Sequence, residues 1–543
     1  HKHSTDTMSV AASILIFRHG QRPPYPLPHD SSAAGPSIWS TRPFPSAAEW
    51  GMTEHDFANQ MLTPNGKQQL TNLGAYVAAQ LGDPCGLAVT LIADDSARDV
   101  QSAEYFASGF LPPACSGVPV RVCNTSETEA IGSSNAAAVQ CAGPDEAAAR
   151  QLFGGNFAAL TELYRPQMRR LGEIAGCCSA EACGLYGLPS THSCRLDELP
   201  YAFNGRYYEG YFSGPLQVAG ALAATFMLQE LSGLEPAWGI NLSQPSLREL
   251  YRVHERVMWL GSGLNTSRQL GSHQLAYLLA SLEQQRTGKA YAGLLQPPSA
   301  DRTPLVAIFA HDFNLLYLRQ LLRAHWITGS WQLDVAAIGS HLSFELLRDR
   351  GDHPGDRGDQ HGDRGDHSAA GYRVRGSFIA GNMTQQSGNM DYAARDAPGV
   401  SVFLDLPYEV FRHHVLEAID LRCVVPPLRA SIEDIAALDA RPPPRHGRDW
   451  PTSPHVVGML SGLVVSTCVF ALACGVAIGR RCRPPSNRAM QLDRSRALTP
   501  PTFSGEPPSG PGPEINAEIQ ISTQILPSTS SSSSRAEAPG ASR

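Results

Sequence analysis

The sequence predicts an α/β protein: an open, mostly parallel sheet flanked by helices, split by a mostly helical insertion, with one membrane-spanning helix near the carboxyl end. Three observations lead there. Two apolar runs of strand type, Ser13–Phe17 and Leu305–Phe309, stop at Arg18-His19-Gly20 and at Ala310-His311-Asp312. A third run, Leu87–Ile92, passes through two aspartates to Arg98, where a helical pattern begins. Strand-like and helix-like patterns alternate in this way at both ends of the first 425 residues, the signature of a sheet covered by helices.

A chain of 543 residues is too long for one compact domain with short tails. Hydrophobic residues at 42% and charged residues at 17% suffice for a large core, and a net charge of −7 gives no sign of nucleic-acid binding. The first residue is His1, without an initiator methionine or a basic-then-apolar leader, which fits a removed signal peptide or the numbering of a mature form.

Residues 1–435 form the expected folded domain. Within it, residues 9–110 and about 245–425 carry the strand-like runs. The stretch 112–240 is rich in Ala, Leu, Gly and Cys, with helical segments such as Glu146–Phe153 and Leu216–Leu231, and reads as the insertion. From Asp349 the chain repeats Asp-Arg-Gly-Asp, placing Arg-Gly-Asp triplets at 350–352, 357–359 and 364–366. This 349–367 stretch falls between strand-like runs Ser340–Leu347 and Tyr372–Ile379, so it is expected to be an expanded, solvated hairpin loop. Residues 436–455, with Pro442–Pro444 and Pro451, read as a stiff stalk.

Residues 456–478 carry no charge and are long enough to span a bilayer. Arg480, Arg481 and Arg483 follow directly. Beyond them lies a Pro- and Ser-rich tail, 479–543, too poor in apolar residues to fold and expected to be cytoplasmic. Nine of the twelve cysteines precede the apolar run, without zinc-type pairs, and read as disulfide formers. Sequons at Asn124, Asn241, Asn265 and Asn382 lie on the same side as these cysteines. Together they predict a single-pass type I membrane glycoprotein whose first 455 residues are lumenal or extracellular, in the endosomal-lysosomal system or at the cell surface. Gly458, Gly462 and Ser466 recur four apart and offer a helix face for homodimer packing.

Ligands of open α/β sheets sit beyond the carboxyl ends of the strands. The three strand ends would therefore pool Arg18, Arg22, Arg98, His19, His311 and Asp312 in one pocket, a composition suited to a phosphoryl group. Planar guanidinium forks match phosphoryl oxygens. His19 is the candidate nucleophile, forming a phosphohistidine that water then hydrolyses, and Arg18 and Arg22 disfavour a second proton on its ring. Gly20 allows a tight turn and a carbonyl contact to fix the ring tautomer. His311 is expected to donate to the phosphate.

Arg18-His19-Gly20-Gln21-Arg22-Pro23-Pro24, Leu62-Thr63-Pro64-Asn65-Gly66 with Gln69, Leu73 and Gly74, Arg98 followed by Ser102-Ala103, and His311-Asp312 resemble the histidine acid phosphatase family over about residues 10–425. With its apolar run and tail the chain is similar to membrane-bound acid phosphatases of lysosomal or endosomal type, those of trypanosomatid parasites included. The resemblance implies hydrolysis of phosphate monoesters at acidic pH, with Asp312 the general acid for the leaving oxygen. No cofactor or metal is implied: His29, His55, His192, His254, His413 and His414 lack metal-ligand companions and read as surface or packing residues. Two alternatives stand beside this expectation. One is a phytase or inositol-polyphosphate phosphatase built on the same motifs, and the other is an adhesion protein using the Arg-Gly-Asp triplets.

Overall fold

The computed structural model describes residues 8–123, 146–151, 154–189, 193–206, 210–240, 242–299, 301–328, 331–349, 371–381 and 398–439. The Arg-Gly-Asp triplets, residues 440–455 of the expected stalk, the apolar run 456–478 with its small-residue face, the tail, His192, and Asn124, Asn241 and Asn382 lie outside these residues, whereas 436–439, expected to begin the stalk, are helical. Among the described residues no helix is long and apolar enough to cross a membrane.

Among the described residues seven strands make the main sheet: β1 (Met8–Arg18), β2 (Ala88–Asp94), β3 (Val120–Cys123), β4 (Pro304–Ala310), β5 (His341–Asp349), β6 (Tyr372–Ala380) and β7 (Gly399–Pro407). Their order is β7-β6-β5-β1-β4-β2-β3. Strands β1, β4, β2 and β3 run parallel, with Phe17 beside Phe309 and Ala93 beside Phe309 on the far flank. Strands β5, β6 and β7 add an antiparallel meander, so β5 and β7 alone oppose the direction of the other five. The parallel expectation thus holds at the centre, and the antiparallel part comes from the hairpin that brackets the Arg-Gly-Asp stretch.

Burial of both sheet faces explains the unbroken apolar runs. Successive side chains alternate between faces. Leu15, Phe17, Leu91, Ala93, Ala307 and Phe309 pack with Leu70, Leu73, Phe106 and Phe110 of helices α1 (Pro64–Leu81) and α2 (Ala97–Phe110). Ile14, Ile16, Ile92, Val306 and Ile308 point into a second, larger core on the opposite face.

That second core also takes in α3 (Phe157–Ala175), α4 (Pro215–Leu231), α5 (Gln244–Gly261), α6 (Leu264–Thr287), α7 (Asp312–Leu322), α8 (Tyr408–Ala418) and α9 (Pro426–Asp439). The helical stretch expected over 112–240 continues through α5, because Leu247, Leu250, Val257 and Leu260 are buried and the helix packs along α4. Helix α4 is apolar nearly all round, with Leu216, Leu222, Phe226 and Leu231 buried, as a helix enclosed by neighbours must be. Disulfides join Cys85 to Cys115, Cys183 to Cys194, and the adjacent Cys177 to Cys178. Asn265 is exposed in the first turn of α6.

Candidate active site

Strand β1 ends at Arg18, and the loop that follows is held from several sides. The His19 amide donates to the Ala310 carbonyl at 2.8 Å, and the His19 carbonyl accepts from the Gly339 amide at 3.1 Å. The Gly20 amide donates to Ser102 Oγ at 3.0 Å, and the Gln21 amide to Gln69 Oε1 at 3.2 Å. Gln69 Nε2 donates onward to the Ile338 carbonyl at 2.9 Å. Thr63 caps α1 by accepting from the Gly66 amide. Gly66 itself lies against the Gln21 backbone, where any Cβ would collide. Thr63, Gly66, Gln69 and Ser102 therefore scaffold the loop that carries His19, and none of them lines the cavity described below.

His19 is almost fully buried. Its Nδ1 lies 2.8 Å from the Gly20 carbonyl oxygen, which accepts only a proton, so Nδ1 carries the hydrogen and Nε2 keeps its lone pair. Burial first, then the charges of Arg98, Arg22 and Arg18, hold the ring well below the usual histidine value. The His19 ring thus keeps its neutral form to lower pH than an ordinary histidine.

Around it stand the cations. Arg22 donates to the Pro23 carbonyl at 2.7 Å and to Gln60 Oε1 at 3.3 Å, and stacks on the Tyr25 ring. Burial, followed by a smaller opposing effect of Tyr25 and the repulsion of Arg98 and Arg18, brings Arg22 down to about 10. Cations crowded to this degree favour an anion between them. Arg98 projects from the first turn of α2, with Nη2 3.2 Å from His311 Nδ1.

His311 caps α7 and Asp312 begins it. His311 Nε2 donates to Asp94 Oδ2 at 2.6 Å, and Nδ1 lies 3.5 Å from Asp99 Oδ2. Burial alone would lower this ring, but the carboxylates of Asp99 and Asp94 outweigh it and hold it above the usual value. Asp312 Oδ2 pairs with Arg18 Nη2 at 3.0 Å. Its burial favours the neutral acid, yet Arg18, His311, His254 and Arg22 together keep it below the usual carboxylate range.

One cavity of ≈ 660 Å³ is lined by His19, Arg22, Arg98, His311 and Asp312. Arg18 does not line it. Its Nη1 donates to the Ala336 carbonyl at 2.6 Å and its other arm holds Asp312, so Arg18 borders a small void of ≈ 50 Å³ shared with His19, Arg22 and Asp312. The six residues expected from sequence are thus brought together, with Arg18 committed to the acid.

The residues of chain positions 11–367 match the family model of the histidine phosphatase superfamily (branch 2). The chain belongs to this superfamily. Among solved structures it is similar to the phytase of Hafnia alvei in complex with tartrate, at 17% identity and a TM-score of 0.61, over 77% of this chain and 99% of that one. The phytase of Citrobacter braakii gives 18% identity and a TM-score of 0.60 over the same shares, and that of Klebsiella sp. ASR1 gives 16% and 0.57 over 78% and 99%. At these identities the likeness is one of fold. The comparison with curated proteins returns no match.

Several residues of the site carry no role in the sequence reading. Asp94 and Asp99 hold His311, and only Asp94 stood at a strand end where a ligand could be anticipated. His254 corrects an expectation: read as a packing or surface histidine, it lines the main cavity near Asp312, and burial brings it down to about 4 against the pull of Asp312. Nothing near it in sequence marks it, because α5 brings it in. His29 lines the same cavity, whereas His55 and His413 are at the surface. Asp94, Asp99 and His311 could also converge on a metal ion, their ligand atoms lying within 4.8 Å of one another. The Arg98 guanidinium, 3.2 Å from His311 and 3.9 Å from Asp99, supplies a positive charge to that group.

Proposed function

We propose that the chain is a phosphate monoester hydrolase of acid-phosphatase type working through a phosphohistidine at His19. The observation that carries this reading is the His19 ring, its Nδ1 hydrogen committed to the Gly20 carbonyl and its Nε2 free in a cavity lined by Arg22, Arg98, His311 and Asp312. Nε2 attacks phosphorus, the bond to the ester oxygen breaks, and Asp312 gives that oxygen a proton. In the second half, ionised Asp312 takes a proton from water, whose oxygen attacks phosphorus and frees His19 and phosphate. Arg22, Arg98 and the His311 imidazolium stabilise charge on the phosphoryl oxygens. A bound phosphoryl group would also draw on Arg18, loosening its hold on the Asp312 carboxylate and favouring the protonated acid.

The two shifts favour work in acid. Asp312 gains its proton only as pH falls, and His19, held low, keeps its lone pair there. A second reading, hydrolysis of phosphorylated inositols, is favoured by the phytase names of the structural neighbours. Against it stands the charge of the cavity. Beyond the groups around one phosphoryl, its fixed charges among the described residues are Arg206 and Asp30, one of each sign. Each further phosphate of a polyphosphate would need a cation of its own.

From sequence alone we further propose that residues 456–478 anchor a lumenal or extracellular domain, glycosylated at exposed sequons such as Asn265, in an endosomal-lysosomal or surface membrane. Protection of the tail, but not the folded domain, from membrane-impermeant labelling of intact cells would support surface residence, and the reverse pattern would refute the orientation. The activity is tested by a pH–rate profile of the full chain over a panel of phosphate esters, with rapid quenching of labelled substrate. Turnover in acid with label on His19 supports the proposal. Turnover with label on another residue refutes it, and a preference for inositol hexakisphosphate over monophosphates gives the second reading.

A further inference from the structure

Tyr25 sits three residues beyond Arg22 on the loop that leaves β1, and it is half exposed at 50%. The Arg22 guanidinium carbon lies 3.7 Å from its ring centroid, and that of Arg98 5.9 Å. Two of the arginines proposed to grip the phosphoryl group therefore flank this ring. A guanidinium stacked at 3.7 Å covers one ring face and fixes its orientation. The ring lines the ≈ 660 Å³ cavity together with His19 and Asp312.

Part of the remaining wall is apolar and low, although Gln217, Thr225, Arg206 and Asp30 also line the cavity. Helix α4 contributes Ala221, Ala224 and Leu228, spaced three and four apart and hence on one helical face. Pro24 and Pro26, on either side of Tyr25, line the cavity too and limit the loop's freedom. Small side chains on the helix leave room, and a fixed aromatic ring beside the arginines gives that room a flat surface. The ester's organic group lies one bond beyond the phosphoryl group, so it must enter this space.

We infer that Tyr25, with the small-residue face of α4, forms a leaving-group subsite that selects phosphate monoesters of planar aromatic alcohols. This rests on the phosphatase reading above and narrows its substrate class. Arg22 is thereby shared: its edge serves the phosphoryl oxygens while its face holds the ring that receives the organic group.

The test uses two esters of nearly equal size and leaving-group basicity, benzyl phosphate and cyclohexylmethyl phosphate, which differ in planarity. The readout is the ratio of their kcat/KM values within one enzyme, so any disturbance of Arg22 common to both esters cancels. The full chain should favour benzyl phosphate by about threefold to tenfold, the range for one aromatic pair. Tyr25→Phe should keep the ratio, and Tyr25→Leu should bring it close to one. A ratio near one in the unaltered chain, or one unmoved by Tyr25→Leu, would overturn the inference while leaving the phosphatase reading intact. Absence of turnover on both esters would instead overturn that reading, and the subsite with it.

Discussion

Replacing Asp312 with Asn separates proton donation from phosphoryl binding. The amide keeps the shape of the carboxyl and an oxygen for Arg18 Nη2, now 3.0 Å from Asp312 Oδ2, and Arg18 retains its second bond to the Ala336 carbonyl. The cavity wall should therefore hold, and Arg22, Arg98 and His311 remain to bind the phosphoryl oxygens. What disappears is the proton for the ester oxygen. General acid catalysis contributes about 10²–10⁴-fold, or about 2.7–5.4 kcal/mol at 1.36 kcal/mol per factor of ten. An alkoxide leaving group needs that proton in full, whereas a nitrophenolate needs little of it.

The two halves of the reaction respond differently, which makes the assay discriminating. The ratio kcat/KM reports phosphorylation of His19, and for Asp312→Asn it should fall by about 10²–10⁴ for glycerol phosphate but by less than about tenfold for 4-nitrophenyl phosphate. The second half still lacks its base, so phosphohistidine should accumulate and 4-nitrophenol should appear as a burst of one equivalent before a slow steady state. Equal losses of kcat/KM on both esters would refute the assignment of Asp312 as the acid. A missing burst with unchanged kcat would refute its part in hydrolysis of the intermediate.

Other residues give sharper single outcomes. His19→Ala should abolish turnover and the acid-labile phosphoryl label together, read by rapid quench. Asp94→Asn removes the carboxylate 2.6 Å from His311 Nε2, one of the two that raise that ring. The imidazolium should then be lost at lower pH, so inhibition by inorganic phosphate, which reads phosphoryl binding, should weaken at lower pH than in the unaltered chain; an unmoved profile of inhibition would contradict this. Activity should withstand a chelator and fall with vanadate, since arginines and histidines face the phosphoryl site; loss of turnover in the chelator, restored by a divalent ion, would contradict this. Phe17 is fully buried and stacks on Phe309 at 4.7 Å between centroids, so Phe17→Ala should cost about 3–5 kcal/mol of stability in denaturant unfolding.

The half of the site that would meet the phosphoryl group was legible because its residues are tied to strand ends. Arg18, His19, His311 and Asp312 follow β1 and β4 directly, and these strands are neighbours in register, Arg18 beside Ala310. An apolar run that stops at a histidine is a local signal, and two such runs in adjacent parallel strands bring their ends together whatever the rest of the chain does. The hairpin of β5 and β6 was legible, but β7 was not read as a strand, and the pairing of β5 with β1 is a matter of topology that no residue of β5 announces. The organic half of the site was hidden for the same kind of reason. His254, Ala221 and Ala224 sit on α4 and α5, helices whose sequence speaks only of burial, and they reach the cavity because those helices pack together over the strand ends. Arg18 shows the limit from the other direction: its place at the strand end was readable, but its engagement with Asp312 and Ala336 depends on the segment before β5. On the proposed reading, phosphoryl chemistry would be set by residues close to strand ends, and selectivity by the faces of α4 and α5 that line the cavity. Variation confined to the facing surfaces of α4 and α5 should accordingly alter which esters are accepted while leaving the position of label on His19 unchanged.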